Sequence, residues 1–155
     1  MFGSVSSKNL DLMNDYFKQF VEYVQYRKNK FEYIESSGNA KVDAVLKEWN
    51  ALIKDTENRV QDDMKVLGET VLNLDKVEQG IYECRIKSDT KNPMITTLKK
   101  TINKMLDTLE GDMKQVMTVV NEYANDDFTS NVNIAPTVKD NMLAVMQSIN
   151  KLGNS

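Results

Sequence analysis

The chain contains no histidine at all and a single cysteine, Cys84, among its 155 residues. Without histidine there is no Ser-His-Asp or Cys-His pair, and the commonest general base near neutral pH is missing. Histidine-ligated haem is excluded for the same reason. One cysteine allows no internal disulfide, no zinc site of Cys/His type and no thiolate-bound iron–sulfur cluster. Proline occurs twice, glycine six times and tryptophan once. No apolar run approaches the roughly 20 residues of a membrane span. The residues after Met1, Phe-Gly-Ser-Val-Ser-Ser, lack the basic start and apolar core of a signal peptide. Charge of one sign is lacking too: the net charge is −3, with both signs interspersed. Such a chain has no basic patch for nucleic acid.

What is present is apolar periodicity on a polar chain. Apolar residues make up 41% and charged residues 28%, which suits an ordered, surface-rich protein rather than a disordered one. Little Pro or Gly beside much Lys, Glu and Leu predicts an all-α fold. Carboxylate, hard-cation and lysine chemistry remain possible by composition. Yet Asp62-Asp63 and Asp126-Asp127 read as solvated helix starts rather than cation ligands, and Lys99-Lys100 as a solvent-facing pair. No catalytic constellation emerges, so the expectation is a protein that is not an enzyme and needs no cofactor or metal.

The pattern recurs along the chain. Three sites read apolar-Asn-x-apolar: Trp49-Asn50-Ala51-Leu52, Ile102-Asn103-Lys104-Met105 and Ile149-Asn150-Lys151-Leu152. Their asparagines lie 53 and 47 residues apart. About twenty residues before each comes an aromatic in a turn-like stretch: Phe31, Tyr82 and Phe128. Recurrence in a fixed order at about fifty residues predicts tandem units. The boundaries expected are a lead over 1–9, then units over 10–57, 58–110 and 111–155.

Each unit reads as helix, irregular connector, helix. In the first, Leu10, Met13, Phe17, Phe20 and Val24 form an a/d seam. That helix is expected to fade at 25–30. Ser36-Ser37-Gly38-Asn39 supplies turn and cap residues before a helix carrying Val42, Val45, Trp49 and Leu52. The second unit has a seam of Val60, Met64, Leu67, Val71 and Leu74, with Gly80 as the stop. Asn92-Pro93 then starts a helix bearing Ile95, Leu98, Ile102, Met105 and Leu109. In the third, Met113, Val116, Val120 and Tyr123 precede a connector through Pro136. Val138, Met142, Val145, Ile149 and Leu152 follow. No linker separates the units, and Gly111 costs a helix only about 1 kcal/mol. The second helix of one unit is therefore expected to continue as the first helix of the next.

Seams of two residues per heptad are the width suited to a coiled-coil partner. A connector of a dozen or so residues can cross back along its helix, which allows the two helices to run parallel. Two such pairs from two chains make a four-helix bundle. The fold expected is thus all-α, with tandem helix–connector–helix units forming stacked parallel four-helix coiled-coil bundles as a homodimer.

The arrangement resembles the HAMP domain. The second unit carries Gly80-x-Tyr82-x-x-x-Ile86, then Ile102-Asn103-Lys104-Met105 and Leu109. Direct joining of units is similar to tandem (poly-)HAMP arrays. Leu67-Gly68-Glu69, Gln79-Gly80, Asn103-Lys104-Met105-Leu106 and Asn141-Met142-Leu143-Ala144-Val145-Met146 are similar to the corresponding region of bacterial methyl-accepting chemotaxis proteins. The likeness is fuller over 60–152 than over 10–56. The family often has a proline opening its first helix, and no unit here has one. It often opens its second helix with an acidic residue and a glycine, where this chain has Ala40-Lys41, Pro93-Met94 and Thr137-Val138.

The resemblance implies a conformational relay. It would pass a signal from an upstream sensor or membrane helix to a downstream kinase-control region of the same chain. The long output hairpin of chemoreceptors is not among these residues, so the expectation is a relay segment of a larger receptor. It would be cytoplasmic, in an inner-membrane or soluble receptor, without membrane insertion of its own. The resemblance also implies roles for connector residues. Tyr82 and Ile86, Phe128 and Val132, and Phe31 and Ile34 would pack into the bundle and hold its register, and Gly80 would let the backbone leave the helix. The dimer seam would comprise Phe17, Phe20, Trp49, Leu67, Val71, Leu98, Ile102, Met105, Val145 and Ile149. A different reading makes the chain a small-molecule sensor or partner-binding bundle. The first unit would then be its sensing part, with an apolar pocket among Phe17, Phe20 and Trp49.

Overall fold

The computed structural model describes residues 5–155, so the first four residues of the expected lead, and of the stretch read for a signal peptide, lie outside the described residues. The described chain is all helical, with four helices and no strand. They are α1 (Ser7–Val24), α2 (Ala40–Glu78), α3 (Pro93–Ala124) and α4 (Asp140–Gly153). Three connectors join them, over 25–39, 79–92 and 125–139. None of these helices is long and apolar enough to cross a membrane.

Local chemistry sets the helix ends. Ser6 caps α1 by accepting from the Asn9 N–H at 3.3 Å. The Asn39 side chain accepts from the Lys41 N–H at 3.0 Å at the start of α2. Asn92 accepts from the Met94 N–H at 3.1 Å, with Pro93 in the first turn where its missing N–H costs nothing. All three of α1, α2 and α3 stop in the same way. A residue in the left-handed region follows the cap: Tyr26 (φ 60°), Gly80 (φ 81°) and Asp126 (φ 63°). The next N–H then returns to a carbonyl five residues back: Arg27 to Glu22, Ile81 to Lys76 and Asp127 to Glu122. This is the Schellman closure, and it favours glycine at the left-handed position. Only the second stop has one. Gly111 sits inside α3 without breaking it.

The chain divides into two compact units, Met1–Asp62 and Asp63–Ser155. Three helix–connector–helix repeats are distributed over them. The first unit holds α1 and the start of α2. The second holds the rest of α2 with the start of α3, and then the end of α3 with α4. Thus α2 and α3, of 39 and 32 residues, each belong to two successive repeats.

In the first unit, Tyr16, Phe31, Val42, Leu46 and Ile53 form a buried cluster. Phe31 meets Tyr16 edge-on at 5.1 Å between ring centres, and Tyr16 stacks on Trp49 at 6.3 Å. The inward stripe of α2 is therefore Val42, Leu46, Trp49 and Ile53, not the expected Val42, Val45, Trp49 and Leu52. Leu52 is 67% exposed. In the second unit, Val119, Val132, Met146 and Ile149 form a second cluster.

Candidate functional site

The direction of the helices follows from what the connector touches. In the second repeat, Asp63 near the middle of α2 bonds the Thr90 hydroxyl and the Asn92 amide. Further along α2, Glu69 accepts from the Lys87 and Ser88 N–H groups, and Lys76 donates to the Cys84 sulfur at 3.2 Å. On α3, Lys99 reaches Ser88, Asn103 reaches Ile86, and Asp107 and Glu110 take Arg85. As the connector is followed backwards, partners on both helices advance. The helices therefore run parallel, with the connector antiparallel to both.

The repeated asparagine has a structural role in each repeat. Asn103 accepts from the Ile86 N–H at 2.9 Å and donates to the Ile86 carbonyl at 3.0 Å. Asn150 does the same to Val132, at 2.7 and 2.9 Å. One side-chain amide thereby satisfies both backbone polar groups of a connector residue lying against a helix, which would otherwise stay unpaired. In the first repeat Asn50 donates to the Ile34 carbonyl at 3.1 Å, while its oxygen accepts from the Tyr16 hydroxyl. The recurring apolar-Asn-x-apolar signal was visible in the sequence. The site residues expected from it were the apolar neighbours, and the asparagines themselves were missed.

Of the connector residues expected to pack, Phe31, Ile86 and Val132 are buried, whereas Tyr82 and Ile34 are half-buried. Phe128 is 50% exposed and lies on the Tyr123 ring at 5.2 Å. Gly80 takes the left-handed conformation at the helix stop.

Charged groups bind the second connector especially closely. The Glu69 carboxylate accepts from the Lys87 N–H (2.6 Å), the Ser88 N–H (3.0 Å) and the Ser88 hydroxyl (2.6 Å). These bonds, the Ser88 hydroxyl foremost, bring its pKa down to about 2. Arg85 bridges Asp107 at 2.8 Å and Glu110 at 2.6 Å, and the Asp107 hydrogen bond leads in raising the guanidinium pKa. Lys99 was expected to face solvent with Lys100. Instead its side chain is 17% exposed, with the ammonium on the carbonyls of Lys87 and Ser88 and on Asp89. Lys100 is exposed. Asp62-Asp63 and Asp126-Asp127, expected as solvated helix starts, lie instead inside α2 and just past the end of α3, where Asp63 bonds as above and Asp127 accepts from the Thr129 hydroxyl. Among the described residues no group of three or more His, Cys, Asp or Glu could hold a metal ion.

Each repeat also presents apolar side chains that nothing among the described residues covers. Phe17 is 56% exposed, flanked one heptad away on each side by exposed Leu10 and Val24. On α2, Met64 and Val71 are exposed at heptad spacing, and so are Leu98 and Met105 on α3, and Val145 and Leu152 on α4. Of the remaining residues expected at the dimer seam, Phe20, Trp49, Leu67 and Ile102 are half-buried, and Ile149 is buried within the chain. In the first unit the row borders a groove of about 250 Å³ lined by Tyr16, Phe17, Phe20, Trp49, Leu52 and Ile53.

No family model, curated protein or solved structure matches the chain.

Proposed function

We propose that this chain is a conformational relay of HAMP type. In this reading it acts as a parallel homodimer within a bacterial chemoreceptor or related transducer, on the cytoplasmic side. It passes the state of an upstream sensor to a downstream kinase-control segment. One observation carries the proposal: parallel helices in each repeat leave heptad-spaced apolar rows open to solvent. A row of this width suits knobs-into-holes contact with a second copy of itself. Each large side chain covered would contribute about 1.5–3 kcal/mol. The asparagine-held connectors support the reading, since they fix each helix pair in axial offset while leaving the rows open. Helix α3, shared by two repeats of the second unit, supplies a stiff path within that unit. In this role the protein catalyses nothing and binds no cofactor, nucleic acid or lipid core.

The test is a cross-link across the predicted seam. Leu98→Cys in a Cys84→Ser background is expected to form a symmetric disulfide dimer within minutes of mild oxidation. Sedimentation at micromolar concentration is expected to give twice the chain mass. A monomer that does not cross-link would overturn the proposal.

The groove of the first unit favours a second reading, a sensor for a small apolar ligand at Phe17, Phe20 and Trp49. The two readings compete for the same surface, because a second copy would fill the groove. A thermal-shift screen of amino acids, organic acids and purines separates them. Stabilisation by a compound that is lost on Trp49→Ala would favour the sensor.

A further inference from the structure

We propose that the second connector is a polar strap, which holds α2 and α3 in one axial offset and is broken by a change in that offset. Glu69 of α2 takes the N–H groups of Lys87 and Ser88, and Lys99 of α3 takes the carbonyls of the same two residues. The two helices thus grip one stretch of connector from opposite sides with opposite charges. A slide of one residue along a helix axis is about 1.5 Å. Hydrogen bonds of 2.6–3.1 Å do not survive such a displacement on both sides at once. The strap therefore responds to axial offset.

The second repeat also carries polar side chains at positions where the other repeats have apolar ones. Lys99 stands four residues before Asn103. At the same distance before Asn50 and Asn150 stand Leu46 and Met146, both fully buried. Ten residues before the helix stop, the third repeat has Val116 and the second has Thr70, buried and bonded to the Val66 carbonyl. Buried Asn73 leaves its Oδ1 without a hydrogen-bond partner among the described residues. The second repeat nevertheless keeps buried apolar side chains of its own, Val66, Ile86 and Leu106. Polar side chains thus stand at two positions where other repeats have packed ones, so that the axial offset of this repeat depends on directional bonds as well as on apolar burial.

The purpose of the strap rests on the relay reading, in which one repeat must change offset. Its existence does not. The test is amide exchange on the full chain at pH 7, with sedimentation on the same samples. Glu69→Gln keeps the shape and removes the charge. It is expected to speed exchange at Lys87 and Ser88 by at least about fivefold, leaving Val132, held by Asn150, within about twofold. Ser88→Ala, which removes one donor, is expected to shift Lys87 the same way and serves if the first variant does not fold. Less than fivefold at Lys87 and Ser88, or equal acceleration at Val132, would overturn the strap. A monomer with the expected exchange pattern would overturn the relay reading and leave the strap standing.

Discussion

In the first repeat an aromatic cluster holds the connector. Phe31 sits among Tyr16, Phe20, Tyr23 and Tyr33, with Leu46 beneath. In the second repeat the connector crosses a parallel helix pair with its own Ile86 buried, and Glu69, Lys99, Arg85 and Asp63 add polar bonds to it. Both repeats keep the asparagine on the connector peptide and the Schellman stop. The difference lies in what fills the space between. Dispersion and apolar burial tolerate small shifts, because they are non-directional. Hydrogen bonds to charged groups are stronger individually but directional, and they are lost abruptly. The same topology can therefore be held mainly by aromatic packing in one place and with added charged contacts in another by changing a few side chains.

The comparison breaks most sharply at equivalent core positions. Leu46→Ala, at a fully buried site, is expected to destabilise the first unit by about 2–5 kcal/mol in chemical denaturation. Lys99→Met places in the second repeat the residue found at position 146, but leaves the Lys87 and Ser88 carbonyls without their donor, and is expected to cost about 1–3 kcal/mol. A larger loss from Lys99→Met would mean that the charge is integral to the second repeat. The shared feature comes next. Asn103→Ala and Asn150→Ala leave an N–H and a C=O of the connector unpaired, and each is expected to cost about 1–3 kcal/mol. Equal losses would indicate a common clamp, whereas a smaller loss at Asn103 would show the charged contacts sharing its work.

A smaller effect, of opposite sign, is expected at the helix stops. Tyr26 occupies the left-handed region that glycine takes at position 80. Tyr26→Gly is expected to raise stability by about 1 kcal/mol, seen as a higher denaturation midpoint. The last prediction concerns acid. Glu69 has its pKa lowered from the ordinary 4.5 to about 2, chiefly by the Ser88 hydroxyl. A depressed carboxylate contributes stability that is complete above its unfolded pKa and disappears as pH falls through the folded one. Its contribution is therefore expected to decline between about pH 4.5 and 2. Glu69→Gln is expected to flatten the dependence of second-connector exchange on pH over that range, with the connectors at 25–39 and 125–139 unaffected.

Helix content, the stops at Gln25 and Gly80, the Asn92-Pro93 start and the uninterrupted run through Gly111 were all legible from local chemistry. Each depends on interactions within a turn or two, which the order of residues specifies directly. The inward face was harder to read. Val45 and Leu52 fit a heptad as well as Leu46 and Ile53 fit a helical stripe, and both sets are apolar. A helix with two apolar stripes can turn either towards its own connector, and here Leu46 and Ile53 face inward. Lys99 was misread for a related reason. A lysine beside another lysine looks solvent-facing until a connector brings two carbonyls to its ammonium.

By itself, then, the sequence determined the helices, their ends and the threefold recurrence, because backbone hydrogen bonding and capping are local. Only the tertiary structure decided the parallel course of the helix pairs and the part played by the three asparagines. It alone also set the contrast between a first repeat packed on aromatic rings and a second whose buried Val66, Ile86 and Leu106 are joined by a charged strap. Those features require groups some 17–34 residues apart to come within hydrogen-bonding distance, as Asn103 does with Ile86 and Tyr16 with Asn50. Which distant pairs meet depends on how the connector folds back over both helices at once.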